Sequence, residues 1–218
     1  MIRKNLPFGP LEYQRRLSKT RHAMQAADLD MLFITDPSNM AWLTGYDGWS
    51  FYVHQGVIIT ADSDPVWWGR SQDANGALRT VWMSDDRIHG YADYFVQSNE
   101  RHPMQDLARW LQEYRAGAKR IGVELDNYYY SAKAHQVLCE NLAKILPGVT
   151  LQDATALVNW QRCIKSNEEI TFMRKAARIS EKIIDGLFAR VEPGIAKNDI
   201  VAEVYGDALR GFEDIWGD

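Results

Sequence analysis

A chain of 218 residues has room for one large domain, or for one domain and the opening of a second, with a sizeable core in either case. Its 46% hydrophobic and 25% charged residues are those of an ordinary globular protein. The net charge of -4, without any Lys/Arg run, speaks against a nucleic-acid binder, and no apolar run approaches the roughly 18 residues a membrane helix needs. There is no secretory leader pattern, and Cys139 and Cys163 form neither a disulfide framework nor a CxxC pair. A cytoplasmic location is the expectation.

Phe8-Gly9-Pro10 reads as a helix entry, because proline is tolerated in the first turn, where its missing N–H costs nothing. The helix continues from Leu11 to Ala27 with Leu17 and Met24 on one face. Arg15-Arg16 belongs to its polar face. Met31–Ile34 is a buried strand, and Asp36-Pro37-Ser38-Asn39 caps a short helix that Gly45 ends. Val57–Thr60 and Val66–Trp68 are predicted strands of a hairpin, turned by Ala61–Pro65.

Helix is expected around Gln72–Val81, and short extended pieces near Ile88 and from Tyr94 to Val96. Pro103 opens a helix through Tyr114, Arg120–Glu124 is a strand, Ser131–Leu146 a helix, and Val149–Gln152 the last strand. Alternation of this kind predicts a layered α/β domain with a mixed sheet flanked by helices.

From Leu157 the pattern changes. An ordered, partly helical connector leads to Ser166 and Glu169, an S-x-x-E capping box, and then to a long helix. Ile170, Met173, Ala177, Ile184, Leu187 and Val191 recur three and four apart on it, a stripe expected to be core. Val191-Glu192-Pro193-Gly194 breaks the helix and a second one follows. Residues 1–156 are therefore expected to form a whole domain, and 157–218 to open another whose catalytic residues lie beyond Asp218. On that expectation the 218-residue chain alone is inactive, and its uncovered helix faces favour self-association.

Familiar catalytic motifs are missing: there is no GxGxxG, Walker loop, GxSxG elbow or HExxH, and the five histidines are scattered. Two segments suggest more than scaffold. Gly45–His54 places four aromatic residues in a loop, where exposed rings have a cost. Trp49, Phe51 and Tyr52 either wall a cationic or amidinium-like ligand or bury in the core or at a subunit contact. His54 is beside them, as a ligand contact or as a structural histidine. Arg70, after Trp67-Trp68-Gly69, either clamps a carboxylate or pairs with Asp73.

Asn39–Tyr46, together with Ile164-Lys-Ser-Asn-Glu-Glu-Ile170, Met173–Ala177 and Val191–Gly194, resembles the creatinase–prolidase–aminopeptidase P ("pita-bread") family over essentially the whole chain. Within it, Asp47–His54 and Trp67–Asp73 look most like the ectoine hydrolase branch. The resemblance implies a creatinase-like N-terminal domain followed by the first helices of a pita-bread α+β catalytic domain. It implies a homodimer that opens the cyclic amidine of ectoine, a small zwitterion, to acetylated diaminobutyrate. Trp49, Phe51, Tyr52, His54 and Arg70 would contact the substrate. No cofactor is implied in that branch, whereas a prolidase-type Xaa-Pro dipeptidase, the first alternative, would need two divalent metals. A non-catalytic creatinase-like dimerisation or binding domain is the second.

Overall fold

The computed structural model describes residues 6–48, 50, 52–115 and 117–212. Two compact units divide between Cys163 and Ile164. In the first, α1 (Pro10–Ala26), β1 (Met31–Ile34), α2 (Pro37–Thr44), β2 (Gly56–Thr60), β3 (Val66–Arg70) and α3 (Ala74–Thr80) come in succession. They are followed by β4 (Ile88–Tyr91), α4 (Pro103–Arg115), β5 (Arg120–Val123), α5 (Ala132–Ile145), β6 (Thr150–Asp153) and α6 (Leu157–Cys163).

The sheet order is β4-β3-β2-β1-β5-β6. β2 is antiparallel to both β1 and β3, and the other pairings are parallel, so five strands run one way and β2 the other. Successive side chains of a strand point to opposite faces, and β1 shows the consequence. Leu32 and Ile34 join Val57, Ile59 and Trp67 in a core with residues of α1, α2 and α3. Met31 and Phe33 join Ile58, Trp68, Ile121 and Val123 in a second core under α4 and α5. A run of four apolar residues is thus a strand buried on both faces.

Two local expectations are corrected. Tyr94–Val96 is not extended: residues 93–95 form a 3-10 turn, closed by Phe95 N–H to the Ala92 carbonyl at 3.1 Å and Val96 N–H to the Asp93 carbonyl at 2.9 Å. Arg16 does not lie on a solvated face. It is 1% exposed, donates to Glu12 and to the Trp42 carbonyl at 2.9 Å each, and covers the Phe8 ring at 3.9 Å. An i,i+4 carboxylate and an aromatic ring together make burial of a guanidinium tolerable.

Asp36 caps α2 by accepting the Asn39 N–H at 2.9 Å, and Gly45 ends it at φ +81°. A Cβ on Gly45 would also lie 2.8 Å from the Thr80 carbonyl oxygen. Gly45→Ala is expected to cost about 2–4 kcal/mol, from left-handed strain plus a clash with rigid backbone. A thermal-unfolding midpoint no lower than that of the parent would refute this.

The second unit holds α7 (Asn167–Arg190) and α8 (Lys197–Arg210). The capping box is present in full, with Glu169 N–H on Ser166 Oγ at 3.2 Å and Ser166 N–H on Glu169 Oε2 at 2.7 Å. Arg190 ties the two helices together through Asp207 at 2.8 Å. The apolar stripe is not core here. No described residue of α7 is buried, and Met173, Ile184 and Val191 are about half exposed (51%, 48% and 57%). Two helices alone cover only the strip along which they touch.

Candidate functional site

Because β2 runs against the other strands, the segment that precedes it comes to the same end of the sheet as those that follow the other five. The described residues between 45 and 55 therefore come to the same end of the sheet as 71–73, 92–102 and 124–127, at the carboxyl ends of the parallel strands. That is where open α/β sheets generally hold ligands.

Trp49 and Phe51 lie outside the described residues. Tyr46, the first aromatic of the loop, is buried: its hydroxyl donates to Gln55 Oε1 at 2.7 Å and its ring lies 5.4 Å from that of Trp67. Ser50 donates a short hydrogen bond to Asp73, which ties the loop to the segment after β3. Tyr52 is 66% exposed. Rings of one loop thus divide between core and surface.

Arg70 is held by Asp93 rather than by Asp73. Its Nε and Nη2 donate to the two carboxylate oxygens at 2.8 and 3.2 Å. The guanidinium keeps the exposed Asp93 carboxyl below its ordinary range, and the carboxylate in turn raises Arg70.

His54 lines a cleft of about 220 Å³ together with Tyr52, Tyr91, Phe95, Arg101 and His102. The Tyr91 hydroxyl donates to the His54 carbonyl at 2.8 Å, and the His54 and His102 rings lie 4.8 Å apart. Burial, and next the neighbouring His102, push the His54 imidazole down to about 4, so it is neutral at neutral pH. Burial and then Lys133 lower His102 too.

A larger groove of about 840 Å³ lies at the opposite end of the sheet, between α1 and the start of β1. Its charged groups serve the fold. Arg21 donates to the carbonyls of Thr60 and Ser63, and Asp30 accepts the N–H groups of Lys119 and Arg120. The smaller cleft is the better candidate.

A second polar cluster was not anticipated from the sequence. Glu124, 3% exposed at the end of β5, accepts Thr35 N–H at 2.6 Å, Asp36 N–H at 2.8 Å, Asn39 Nδ2 at 2.7 Å and Asn127 Nδ2 at 3.1 Å. Asn39 also donates to Asn159 at 2.8 Å and accepts from Arg162 at 2.7 Å, which fastens α6 to α2. Among the described residues no group of three or more His, Cys, Asp or Glu is placed to hold a metal ion. No helix among them is long and apolar enough to cross a membrane.

Residues 16–164 match the family model described as the creatinase/prolidase N-terminal domain, and the chain belongs to that family. It is 47% identical to the ectoine hydrolase of Halomonas elongata over 213 residues, 97% of this chain and 52% of that protein. It is 41% identical to an uncharacterized hydrolase/peptidase of Sinorhizobium fredii, y4tM, over 97% of this chain and 53% of that one. Among solved structures, the Xaa-Pro dipeptidase of Bacillus anthracis superposes with a TM-score of 0.68 at 15% identity, over 91% of this chain and 50% of that chain, a likeness of fold. The chain spans about half the length of the curated relatives it matches.

Proposed function

We propose that the whole protein is a hydrolase that opens the cyclic amidine ring of ectoine with water to give acetylated diaminobutyrate, and that this chain supplies the N-terminal domain. The observation that carries the reading is the 47% identity with an ectoine hydrolase along nearly the whole chain. Ectoine joins a carboxylate to a delocalised cation. The exposed Tyr52 ring suits the cation. Trp49, Phe51, His54 and Arg70 are proposed to contact the same substrate. The catalytic groups are proposed to lie outside this chain and to work without a metal pair. A cytoplasmic homodimer, in which this loop helps to close the partner's site, completes the reading.

The test is proton NMR of ectoine incubated with the full-length protein in the presence of a chelator. Ring opening to an acetylated diaminobutyrate is expected. An unchanged spectrum, with turnover of Xaa-Pro dipeptides on addition of manganese, would replace the reading with a metal-dependent dipeptidase.

A further inference from the structure

The segment between β4 and α4 is shaped more elaborately than a connection requires. Gln97 takes a left-handed conformation at φ +50°, and Ser98 Oγ accepts the N–H groups of Glu100 and Arg101 at 3.2 and 3.1 Å. This turn sets the Arg101 guanidinium over the Tyr94 ring at 5.1 Å. No carboxylate among the described residues pairs with Arg101. Asp93 is taken by Arg70, Asp106 by Trp68 and His89, and Glu100 does not line the cleft.

His102 stands where a helix N-cap belongs, before Pro103. Its Nδ1 accepts the Met104 N–H at 3.2 Å, while Gln105 Oε1 accepts the His102 N–H at 3.0 Å. This is a variant of the capping box in which an imidazole replaces the hydroxyl and takes the N2 rather than the N3 N–H. It fixes the tautomer: with the Nδ1 lone pair in use, the neutral ring carries its proton on Nε2. That second nitrogen makes no hydrogen bond to a described residue, and His102 lines the cleft. Across from it, neither ring nitrogen of His54 makes a hydrogen bond to a described residue.

The cleft therefore offers a guanidinium with no carboxylate partner and an imidazole N–H of fixed tautomer, and no acidic side chain among the described residues lines it. A cation would meet Arg101, and a metal would have to compete with the helix for His102 Nδ1. An acceptor-only group with two oxygens suits the donors, and about 220 Å³ is below the usual size of a site for a drug-sized ligand. We propose that this cleft is a carboxylate subsite, in which Arg101 and the Nε2–H of His102 hold the anionic oxygens and His54 forms the opposite wall. As the anchor for the substrate's carboxylate, it rests on the ectoine reading above.

Arg101→Gln and His102→Asn in the full-length protein test the subsite. Asparagine is a good N-cap, so the second variant keeps the helix start while removing the donor. Each is expected to raise the KM for ectoine about tenfold or more and to leave kcat within about threefold, as expected for loss of a charge-assisted contact common to ground and transition states. Arg101→Lys should recover part of the loss. An unchanged KM in both variants overturns the subsite and leaves the ectoine reading standing. If the full-length protein does not turn over ectoine, the 218-residue chain is titrated with acetate and, as neutral control, acetamide, following the imidazole ¹H–¹⁵N signals. Signals of His54 and His102 that move with acetate alone, and less in Arg101→Gln, support the subsite without ectoine. Signals that ignore both probes, or follow both alike, overturn it.

Discussion

Glu124→Ala is expected to destabilise the first unit by about 3–5 kcal/mol, the range for breaking a buried charged network. The carboxylate is buried and meets four N–H donors, two from the backbone at the end of β1 and two from side-chain amides. Truncation strands all four in a space that water does not fill freely, and unsatisfied buried donors carry their full desolvation cost. Glu124→Gln keeps the shape and one acceptor oxygen but turns an NH₂ toward other donors, so about 1–3 kcal/mol is expected. A tryptophan-fluorescence urea titration would order the chains as parent, Gln, Ala. Equal midpoints would mean that the network is not structural. Asn39→Ala should be strongly non-additive with Glu124→Ala, because Asn39 shares the carboxylate and alone reaches Asn159 and Arg162. Loss of the network should also loosen the aromatic loop, since the Glu124 ligands Thr35, Asp36 and Asn39 lead into α2 and α2 runs straight to Gly45.

The regular elements could be read from the sequence because each has a local cause. Pro10 and Pro103 start helices, Gly45 stops one, Ser166 and Glu169 cap one, and short continuous apolar runs mark the strands that form the two cores. What could not be read depends on partners far along the chain. Arg16 looks like a solvent-facing arginine until α2 brings the Trp42 carbonyl to it. Glu124 looks like any strand-end carboxylate until α2 and Asn127 surround it. Asp93 takes Arg70 from the expected Asp73 because β4 runs parallel beside β3 and delivers residue 93 to the same end of the sheet. Of the candidate site, Tyr52 and His54 were legible as an aromatic loop next to a histidine. Arg101 and His102 were not, although one signal was present. Pro103 at the first helical position makes His102 the N-cap, and Gln105 stands three residues on, as a capping box requires.

The tryptophan pair of β3 should separate packing from hydrogen bonding within one strand. Trp67 and Trp68 are both fully buried and point into different cores. Replacement of either by alanine is expected to cost about 3–5 kcal/mol through the cavity left behind. Phenylalanine should tell them apart. The Trp68 Nε1–H donates to Asp106 at 3.0 Å, whereas that of Trp67 makes no hydrogen bond of ordinary geometry among the described residues and meets the Tyr46 hydroxyl only loosely. Trp68→Phe is therefore expected to cost about 1–2 kcal/mol more than Trp67→Phe. Acid should narrow the contrast between Trp68→Phe and its parent. Burial alone would raise the Asp106 carboxyl, but hydrogen bonds from His89 and Trp68 outweigh it and hold the group below its ordinary range. A depressed carboxyl contributes stability that is present above its unfolded value, about 3.9, and is lost as the pH falls through its folded value. Without the indole the folded value rises toward the unfolded one, so Trp68→Phe has less of this contribution to lose, and its urea midpoint should approach the parent's as the pH falls. Trp67→Phe, which leaves the Asp106 contacts in place, should keep the same deficit in urea midpoint across that range. If both phenylalanine variants kept a constant deficit at every pH, the indole–carboxylate bond would have no part in acid stability, and packing alone would explain both.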